Sequence, residues 1–207
     1  MNIKKQISLL LDKKDRRIMS TELHTNFIIE KTSNIKKYVE CGTAKGGICA
    51  LVALNNPNCE IFALDAWKGM PSLSDKDEKY LQKYVGETKL YGNENIVLDS
   101  FNKIKSSTKN LKIIKGWVED TIPKNIDILD QIDVLRIDLD WYEPILFAIE
   151  NLYFNIKKGG IIIIDDGAYK GCRAAINHFR EKNNIKNEIY RGEKNGCNYN
   201  AQFWWIV

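Results

Sequence analysis

Two adjacent aspartates, Asp165 and Asp166, directly follow a run of four isoleucines at positions 161–164. A short apolar run without alternation predicts a strand that is buried on both faces, as in a parallel sheet covered by helices. A second, mainly apolar run at 132–137 is followed by Asp138. Because ligands bind at the carboxyl ends of parallel strands, we expect the three carboxylates to converge at one edge of the sheet. Close carboxylates repel one another, so this edge requires a cation, a cluster of hydrogen-bond donors or a bound proton.

The segment between these two strands carries the pattern of a helix. Pro144 suits a first helical turn, and apolar residues recur at helical spacing from Ile145 to Tyr153. The Lys-Lys-Gly sequence at 157–159 predicts a basic last turn and a stop. Strand, helix and strand in this length form a right-handed βαβ unit, so Asp138 and the later acidic pair should end neighbouring strands.

A glycine-rich turn follows the first predicted strand, which begins at residue 38. Its spacing, Gly42-x-x-x-Gly46-Gly47, matches neither the dinucleotide-binding fingerprint nor a P-loop. Glycines before a helix still allow backbone N–H groups to approach a ligand. Glu40 lies just before the turn, where it would repel a pyrophosphate but suits a cationic ligand. Asp65 ends the next strand, in the position where nucleoside-binding folds hold a ribose.

Two later segments add candidate binding residues. Strand 111–115 is followed by Gly116 and Trp117, and the indole ring either stacks on a base or fills the core. Residues 66–95 show little apolar periodicity, and a connection of roughly thirty residues is typical of a lid or binding loop. We expect this segment to close over the substrate.

The two ends of the chain complete the domain organisation. Residues 1–37 predict an N-terminal extension of two helices, and residues 38–207 predict a single α/β domain. The extension either only packs against the domain, covers the site or forms a homodimer contact, and the sequence does not choose among these roles. Near the C-terminus, strands at 188–191 and 202–207 with a turn at 193–196 predict an antiparallel hairpin.

Composition and charge exclude several classes of partner. The chain has 207 residues, is 44% hydrophobic and 28% charged, and its net charge of +4 is spread along its length, so we predict no nucleic-acid partner. Its apolar runs are too short for a membrane span or a signal peptide, so we predict no membrane association. Five cysteines without a C-x-x-C pair predict free thiols in the reducing cytoplasm.

Five segments, taken in order, resemble those of class I S-adenosylmethionine-dependent methyltransferases, and more narrowly the macrocin (TylF-type) O-methyltransferase family, which includes enzymes that methylate sugar hydroxyls on macrolides. The segments are Val39-Glu40-Cys41-Gly42, Asp65-Ala66-Trp67-Lys68-Gly69-Met70-Pro71, Gly116-Trp117-Val118-Glu119-Asp120-Thr121-Ile122-Pro123, Leu135-Arg136-Ile137-Asp138-Leu139-Asp140-Trp141-Tyr142-Glu143 and Asp165-Asp166. The resemblance implies an α/β fold with a doubly wound, mostly parallel seven-stranded sheet, a C-terminal antiparallel hairpin and a small-molecule or glycan acceptor.

The resemblance also implies a cofactor and a metal ion. S-adenosylmethionine is expected on Glu40, Gly42, Thr43, Gly46, Asp65, Gly116, Trp117 and Asp138. A divalent metal, usually Mg²⁺, is expected on Asp138, Asp165 and Asp166, and an all-oxygen ligand set favours Mg²⁺ or Mn²⁺ over zinc. One departure is that Gly167, Ala168 and Tyr169 follow the acidic pair at once, where the family has further polar residues. A base expected just after the pair is therefore not evident.

Asp138 and Asp140 are the candidate catalytic residues. Asp140 is the candidate base, and its alternative role is to cap the following helix. The acids as a group have a structural alternative, in which they cap helices or pair with Arg136 and Arg173. Two other functions stay open, namely a metal-dependent hydroxylase or hydrolase on the same scaffold and a non-catalytic cofactor-binding module. The acids at 40 and 65 suit a cationic nucleoside and argue against the first, and intact metal acids argue against the second.

Overall fold

A computed structural model of the protein describes residues 3–86, 92–192 and 202–207. The strands are β1 (Lys37–Cys41), β2 (Glu60–Asp65), β3 (Leu111–Lys115), β4 (Ile132–Ile137), β5 (Ile156–Ile164), β6 (Tyr190–Gly192) and β7 (Gln202–Ile206). They form one sheet in the order β3-β2-β1-β4-β5-β7-β6. Strands β1 to β5 pair in parallel, whereas β7 is antiparallel to both of its neighbours. The predicted seven-stranded, mostly parallel sheet is confirmed.

Helices cover both faces of this sheet. They are α1 (Ile3–Leu10), α2 (Glu22–Lys31), α3 (Gly47–Asn55), α4 (Glu94–Lys103), α5 (Val118–Asn125), α6 (Tyr142–Leu152) and α7 (Lys170–Lys182). Helices α1 to α4 share one hydrophobic cluster with alternate strand residues such as Tyr38, and α5 to α7 share a second cluster with the intervening ones such as Val39. The two clusters are the two sides of a doubly wound fold.

The isoleucine run of β5 divides between these clusters. Ile161 and Ile163 pack on the side of α1 to α4, and Ile162 and Ile164 pack on the side of α5 to α7. A strand with helices on both sides has no solvent face, so every position of the run is apolar. The sequence prediction of a strand buried on both faces is confirmed.

The predicted end of the helix before β5 is wrong. Helix α6 ends at Leu152, a short 3₁₀ turn follows, and β5 begins at Ile156. The side chain of Asn155 ties this turn down by donating to the Leu129 carbonyl over 2.8 Å. The lysines at 157 and 158 therefore lie in the exposed start of β5, where a basic pair looks like a helical last turn in sequence alone.

The C-terminal hairpin is present as predicted, although its turn at 193–196 lies outside the described residues. Strand β7 inserts between β5 and β6. Its two adjacent tryptophans face opposite sides of the sheet. Trp205 is fully buried beside Tyr153, whereas Trp204 packs on Phe27 of α2.

The N-terminal helices pack against the sheet domain. Ile7 and Leu10 of α1 and Ile28 of α2 are fully buried in the same cluster as α3. Thr21 caps α2 by accepting a hydrogen bond from the backbone N–H of His24. Among the described helices, none is both long enough and apolar enough to cross a bilayer.

We expect Trp205→Ala to lower the free energy of unfolding by about 3–5 kcal/mol, because it removes a fully buried indole from the core. Ile206→Ala on the same strand is the matched control, since Ile206 is 47% exposed and its loss should cost less than about 1 kcal/mol. Urea unfolding followed by circular dichroism measures both. Equal losses for the two variants would contradict the core role of Trp205.

Candidate active site

The carboxyl ends of the three central strands are held in step by backbone hydrogen bonds that continue past the strands. The N–H of Asp138 donates to the Cys41 carbonyl over 2.8 Å, and the N–H of Asp165 donates to the Ile137 carbonyl over 2.9 Å. The strand order also reverses here, because β1 lies between β2 and β4. This is the position at which open α/β sheets bind their ligands.

Three carboxylates meet at this edge. Oxygen atoms of Asp138, Asp140 and Asp166 lie within 4.8 Å of one another. Both Asp140 and Asp166 have left-handed backbone conformations, with φ of 60° and 52°. Such conformations are unusual for residues other than glycine, and at functional sites they re-aim side chains. The bend after each strand is therefore part of how the cluster forms.

Asp165 is not in this group. One oxygen of Asp165 accepts from Nη2 of Arg136 over 2.5 Å, and the other accepts from the backbone N–H of Asp166 over 3.0 Å. Sequence reasoning expected Asp165 as the third metal ligand, whereas the structure brings Asp140 to that position. A metal role for Asp165 stays a prediction.

Partial burial and mutual repulsion make these three acids hard to ionise together. Burial, with the neighbouring carboxylates of Asp165, Asp140 and Asp138, raises the pKa of Asp166 to about 11. Burial also raises the pKa of Asp140, although the hydrogen bond from Asp166 opposes the shift. The pKa of Asp138 is raised well above its usual range by burial, and Arg136 offsets this only in part. The two carboxyl groups of Asp140 and Asp166 thus share a proton.

A buried arginine lies directly below the acids. Arg136 is 2% exposed, and its Nη2 lies 2.8 Å from Asp138 and 2.5 Å from Asp165. The pairing of the acids with Arg136, one of the structural alternatives raised from the sequence, is therefore present. The pairing with Arg173 is wrong, because Nη2 of Arg173 donates to the Ala168 carbonyl.

The alternative role of Asp140 as a helix cap is also wrong. Trp141 occupies the N-cap position of α6 and makes no side-chain capping bond. The free N–H of Tyr142 instead donates over 2.9 Å to Asp77, which comes from the long segment after β2. Asp140 is thus left without a capping function.

A cleft of about 270 Å³ opens over this edge. Of the predicted site residues, those that line it are Glu40, Gly42, Thr43, Asp65, Gly116, Trp117, Asp138, Asp140, Asp165 and Asp166. Gly46 is the exception. Trp117 is half-buried and belongs to neither hydrophobic cluster of the described chain, so its ring forms cleft wall and does not fill the core.

The glycines of the turn after β1 have packing roles. A Cβ atom on Gly42 would overlap the Asp138 carbonyl, and one on Gly46 would lie 2.7 Å from Val97 of α4. Both glycines also have positive φ. The N–H groups of Gly42 and Thr43 donate to the Leu64 carbonyl, so part of the turn's donors are already used within the protein. This differs from a phosphate cradle, whose N–H groups point at the ligand.

Asp65 fixes this turn from the end of β2. One carboxylate oxygen accepts from the N–H of Ala44 over 2.7 Å and the other from the N–H of Trp67 over 2.8 Å. Asp65 also lines the cleft. Burial raises the pKa of Asp65, and the backbone donors oppose the shift.

Sequence reasoning missed one wall of the cleft, formed by residues 17–20 between α1 and α2. Arg17 ties this strap to α4 by pairing with Asp99 over 2.7 Å, and Asp15 pairs with Lys103 of α4 over 2.8 Å. Met19 lines the cleft and is 46% exposed. No periodic pattern marks this strap, so the sequence gives no signal for it. Residues 17–20 of the N-terminal extension thus line one wall of the cleft, and its helices α1 and α2 pack against the sheet domain.

A second wall comes from residues 69–71, at the start of a loop that is closed on itself. Met70 bridges to Val85, and the N–H of Gly86 donates to the Met70 carbonyl over 3.0 Å. The middle of the loop is fixed to two helices, since Asp77 accepts from the first turn of α6 and Glu78 accepts from the N–H of Lys170 on α7. In the predicted lid, residues 87–91 lie outside the described residues, and the loop at 70–86 is anchored at both ends and in the middle.

A profile of the macrocin O-methyltransferase (TylF) family matches residues 19–201. The chain belongs to this family. The match covers every strand-end acid and the cleft residues from Met19 onward. The predicted resemblance is confirmed.

Two relatives whose names state an activity are similar to this chain of the macrocin O-methyltransferase family. Mycinamicin III 3''-O-methyltransferase of Micromonospora griseorubida is 26% identical over 76% of this chain, and demethyldecarbamoylnovobiocin O-methyltransferase of Streptomyces niveus is 25% identical over 84%. The matched regions span 65% and 74% of those proteins, so the chain covers just under two thirds of the first and about three quarters of the second.

Solved structures share the fold. The O-methyltransferase NovP superposes with a TM-score of 0.80 at 19% identity, with 99% of this chain and 97% of that chain covered. The calicheamicin methyltransferase CalS11 superposes with a TM-score of 0.69 at 18% identity, with 98% and 83% covered. At these identities the likeness concerns the fold alone.

We expect Asp166→Asn to stabilise the protein in the presence of a chelator. In the folded wild type the pKa of Asp166 is about 11, which is above that of an unfolded aspartate. The folded wild type therefore holds a proton that the unfolded chain releases above about pH 4. By linkage, the wild type loses stability as pH rises through this window, by at most about 1.4 kcal/mol per pH unit. The asparagine variant cannot ionise, so its advantage should grow with pH.

Urea unfolding at about pH 5 and about pH 8 measures this difference. Asp120→Asn is the control, because Asp120 is an exposed acid on α5 and its replacement should give the same small change at both pH values. An advantage of Asp166→Asn that does not grow with pH would show that the carboxyl group is not held protonated.

Proposed function

We propose that the chain is an S-adenosylmethionine-dependent O-methyltransferase that methylates a hydroxyl of a sugar on a glycan or natural product with the help of a divalent ion. The observation that carries this proposal is that one cleft joins two sets of residues. Asp65 and Trp117, the candidate nucleoside contacts, lie in the same cleft as the carboxylates of Asp138, Asp140 and Asp166. Membership of the macrocin O-methyltransferase family supports the reaction class.

The cleft fits the cofactor by charge. S-adenosylmethionine carries a cationic sulfonium, and when bound it supplies an activated methyl group. Acids from several strand ends line the cleft wall. Two N–H groups of the turn after β1, which a nucleotide phosphate would need, already donate to the Leu64 carbonyl. We assign Asp65 to the ribose hydroxyls and Trp117 to the base, on which the half-buried indole can stack.

The acids fit a hard divalent ion. Asp138, Asp140 and Asp166 offer three carboxylate oxygens within 4.8 Å of one another, and release of the proton shared by Asp140 and Asp166 provides anionic ligands. Oxygen ligands suit Mg²⁺ or Mn²⁺. Such an ion, when bound, lowers the pKa of a coordinated hydroxyl and fixes its approach.

The chain's own residues orient the acceptor and remove its proton. We assign Asp140 as the proton acceptor, because its carboxylate lies in the trio and caps no helix. The strap residue Met19 and the loop residues Met70 and Pro71 form the less polar walls, which shield the reacting hydroxyl from water.

The relatives and the cysteines support the proposed acceptor and location. The relatives named above act on mycinamicin III and on demethyldecarbamoylnovobiocin, which supports a small-molecule acceptor here. The four cysteines in the described part of the chain are free and buried, which supports the cytoplasm as its location.

A hydroxylase or hydrolase on this scaffold is less well supported. The two histidines of the chain, His24 and His178, lie outside the residues that line the cleft. His24 contacts Ser20, and His178 contacts the hydroxyl of Tyr142. The acids would therefore act without an imidazole ligand or base.

We expect Asp65→Ala to weaken binding of S-adenosylhomocysteine by at least about tenfold, because each charge-assisted hydrogen bond to the ribose contributes about 1.5–3 kcal/mol. Calorimetry measures the affinity. Circular dichroism checks that the domain stays folded when the turn around Ala44 loses its bond to Asp65. Asp120→Ala is the control on an exposed position. Unchanged affinity in the Asp65 variant would contradict the assignment.

The ion ligands are tested by comparing Asp140→Asn with Asp165→Asn. If the trio holds the ion, Asp140→Asn should weaken Mn²⁺ binding more than about tenfold, and Asp165→Asn should weaken it less, because Asp165 is bonded to Arg136. Electron paramagnetic resonance of added Mn²⁺ measures both. The reverse ranking would support Asp165 as the ligand.

Chelation tests the metal role itself. Methyl transfer to a glycoside with two neighbouring hydroxyls should stop in excess chelator and recover better with Mg²⁺ or Mn²⁺ than with Zn²⁺. Transfer at full rate in the chelator would overturn the metal role and leave the rest of the proposal standing.

A further inference from the structure

Glu40 is buried at the base of the cleft, and both of its carboxylate oxygens already have partners. Oε1 accepts from Nη1 of Arg136 over 2.5 Å, and Oε2 accepts from the thiol of Cys49 on α3 over 2.6 Å. The residue is 1% exposed. A carboxylate that is held on both oxygens and closed to water is poorly placed to receive a cationic group of the cofactor, which was its predicted role.

Arg136 connects Glu40 to the acids of the cleft. Glu40 of β1 pairs in register with Arg136 of β4, which pairs with Ile163 of β5. Because side chains alternate along a strand, Asp165, two residues after Ile163, extends on the same face. The guanidinium thus pairs with Glu40 through Nη1, and with Asp138 and Asp165 through Nη2.

The charge on this arginine is divided between two sides. Glu40 binds one end of the guanidinium and offsets its charge, so the field that Arg136 exerts on Asp138 is reduced. Without Glu40, only Asp138 and Asp165 would balance the guanidinium, which lies 2.8 Å from Asp138 of the carboxylate trio. The cluster would then carry one negative charge fewer, and in a partly buried site that change would weaken the binding of a cation.

We propose that Glu40 is a positioning residue for the carboxylate trio. Glu40 acts through Arg136 and does not contact the cofactor. This inference rests on the proposed function to the extent that the trio binds a divalent ion. Glu40 sets the charge and the position of the guanidinium, and the guanidinium fixes Asp138 and Asp165 at the ends of β4 and β5.

The test is Glu40→Gln, which keeps an oxygen acceptor for Arg136 and removes the charge. We expect the affinity for Mn²⁺, measured by electron paramagnetic resonance, to fall about tenfold or more, because the cluster loses one negative charge and fewer acids balance Arg136. The affinity for S-adenosylhomocysteine, measured by calorimetry in chelator, should stay within about twofold. A large loss of S-adenosylhomocysteine affinity with unchanged Mn²⁺ binding would make Glu40 a cofactor ligand and overturn the proposal.

Asp133→Asn is the matched control for burial. Asp133 is a buried acid at the opposite end of β4, where it accepts from the N–H groups of Lys36 and Lys37 over 2.9 and 2.8 Å. Its replacement should lower thermal stability and leave Mn²⁺ binding unchanged. A fall in Mn²⁺ affinity equal to that of Glu40→Gln would reduce the effect at Glu40 to general loss of stability and overturn the proposal.

A second variant covers the case in which Glu40→Gln does not fold. Arg136→Lys keeps the positive charge but replaces the planar fork with a point charge, which cannot hold Glu40 and Asp138 in the same geometry. It should lower Mn²⁺ affinity and spare S-adenosylhomocysteine binding. If the wild type binds no Mn²⁺, both the metal role and this inference are overturned. If both variants bind Mn²⁺ as tightly as the wild type does, this inference alone is overturned.

Discussion

One guanidinium group, that of Arg136, balances the acids gathered at the ends of three neighbouring strands. Glu40, Asp138 and Asp165 all lie within 2.8 Å of it, and Asp140 and Asp166 follow immediately. Two full like charges 4 Å apart repel by about 4 kcal/mol at the effective dielectric of a protein surface. Since a domain is stable by about 5–15 kcal/mol, the sheet edge could not keep several unbalanced carboxylates. The arginine and the shared proton make the cluster compatible with folding, and the proposed cation would balance the negative charge that remains.

The architecture was predictable because the hydrophobic pattern of each short segment indicates the element that it forms. The isoleucines at 161–164 have no alternation, and only a strand with helices on both sides leaves such a run without a solvent face. The position of the acids after the strands then follows from the topology of a parallel sheet. The end of α6 was not predictable in the same way. The basic pair at 157–158 looks like a helical last turn, and the 3₁₀ turn that replaces it depends on a contact between Asn155 and Leu129 from another element.

The grouping of the acids was predictable only in part. Asp165 and Asp166 are adjacent in sequence but have different surroundings, because Asp165 is bonded to Arg136 and Asp166 has a left-handed backbone. Asp140 joins the trio through a similar backbone conformation. These conformations leave no mark in residue type, since both positions hold aspartate where glycine would be expected. The strap at 17–20 was hidden for another reason, as it depends on ion pairs with Asp99 and Lys103 from distant sequence.

The loop at 70–86 is attached to the domain mainly through main-chain groups of its neighbours. Asp77 and Glu78 reach the N–H groups of Tyr142 and Lys170, and the neck of the loop is closed by its own backbone at Met70 and Gly86. An N–H at a helix start is present whatever side chain the helix carries there, except proline. The exposed positions of the loop can therefore vary in sequence, provided that the two acids, the buried Leu81 and the bond from the Trp141 indole to the Pro71 carbonyl remain. In the proposed function this wall borders the acceptor, so the wall could change to fit different acceptors without disturbing the strand ends.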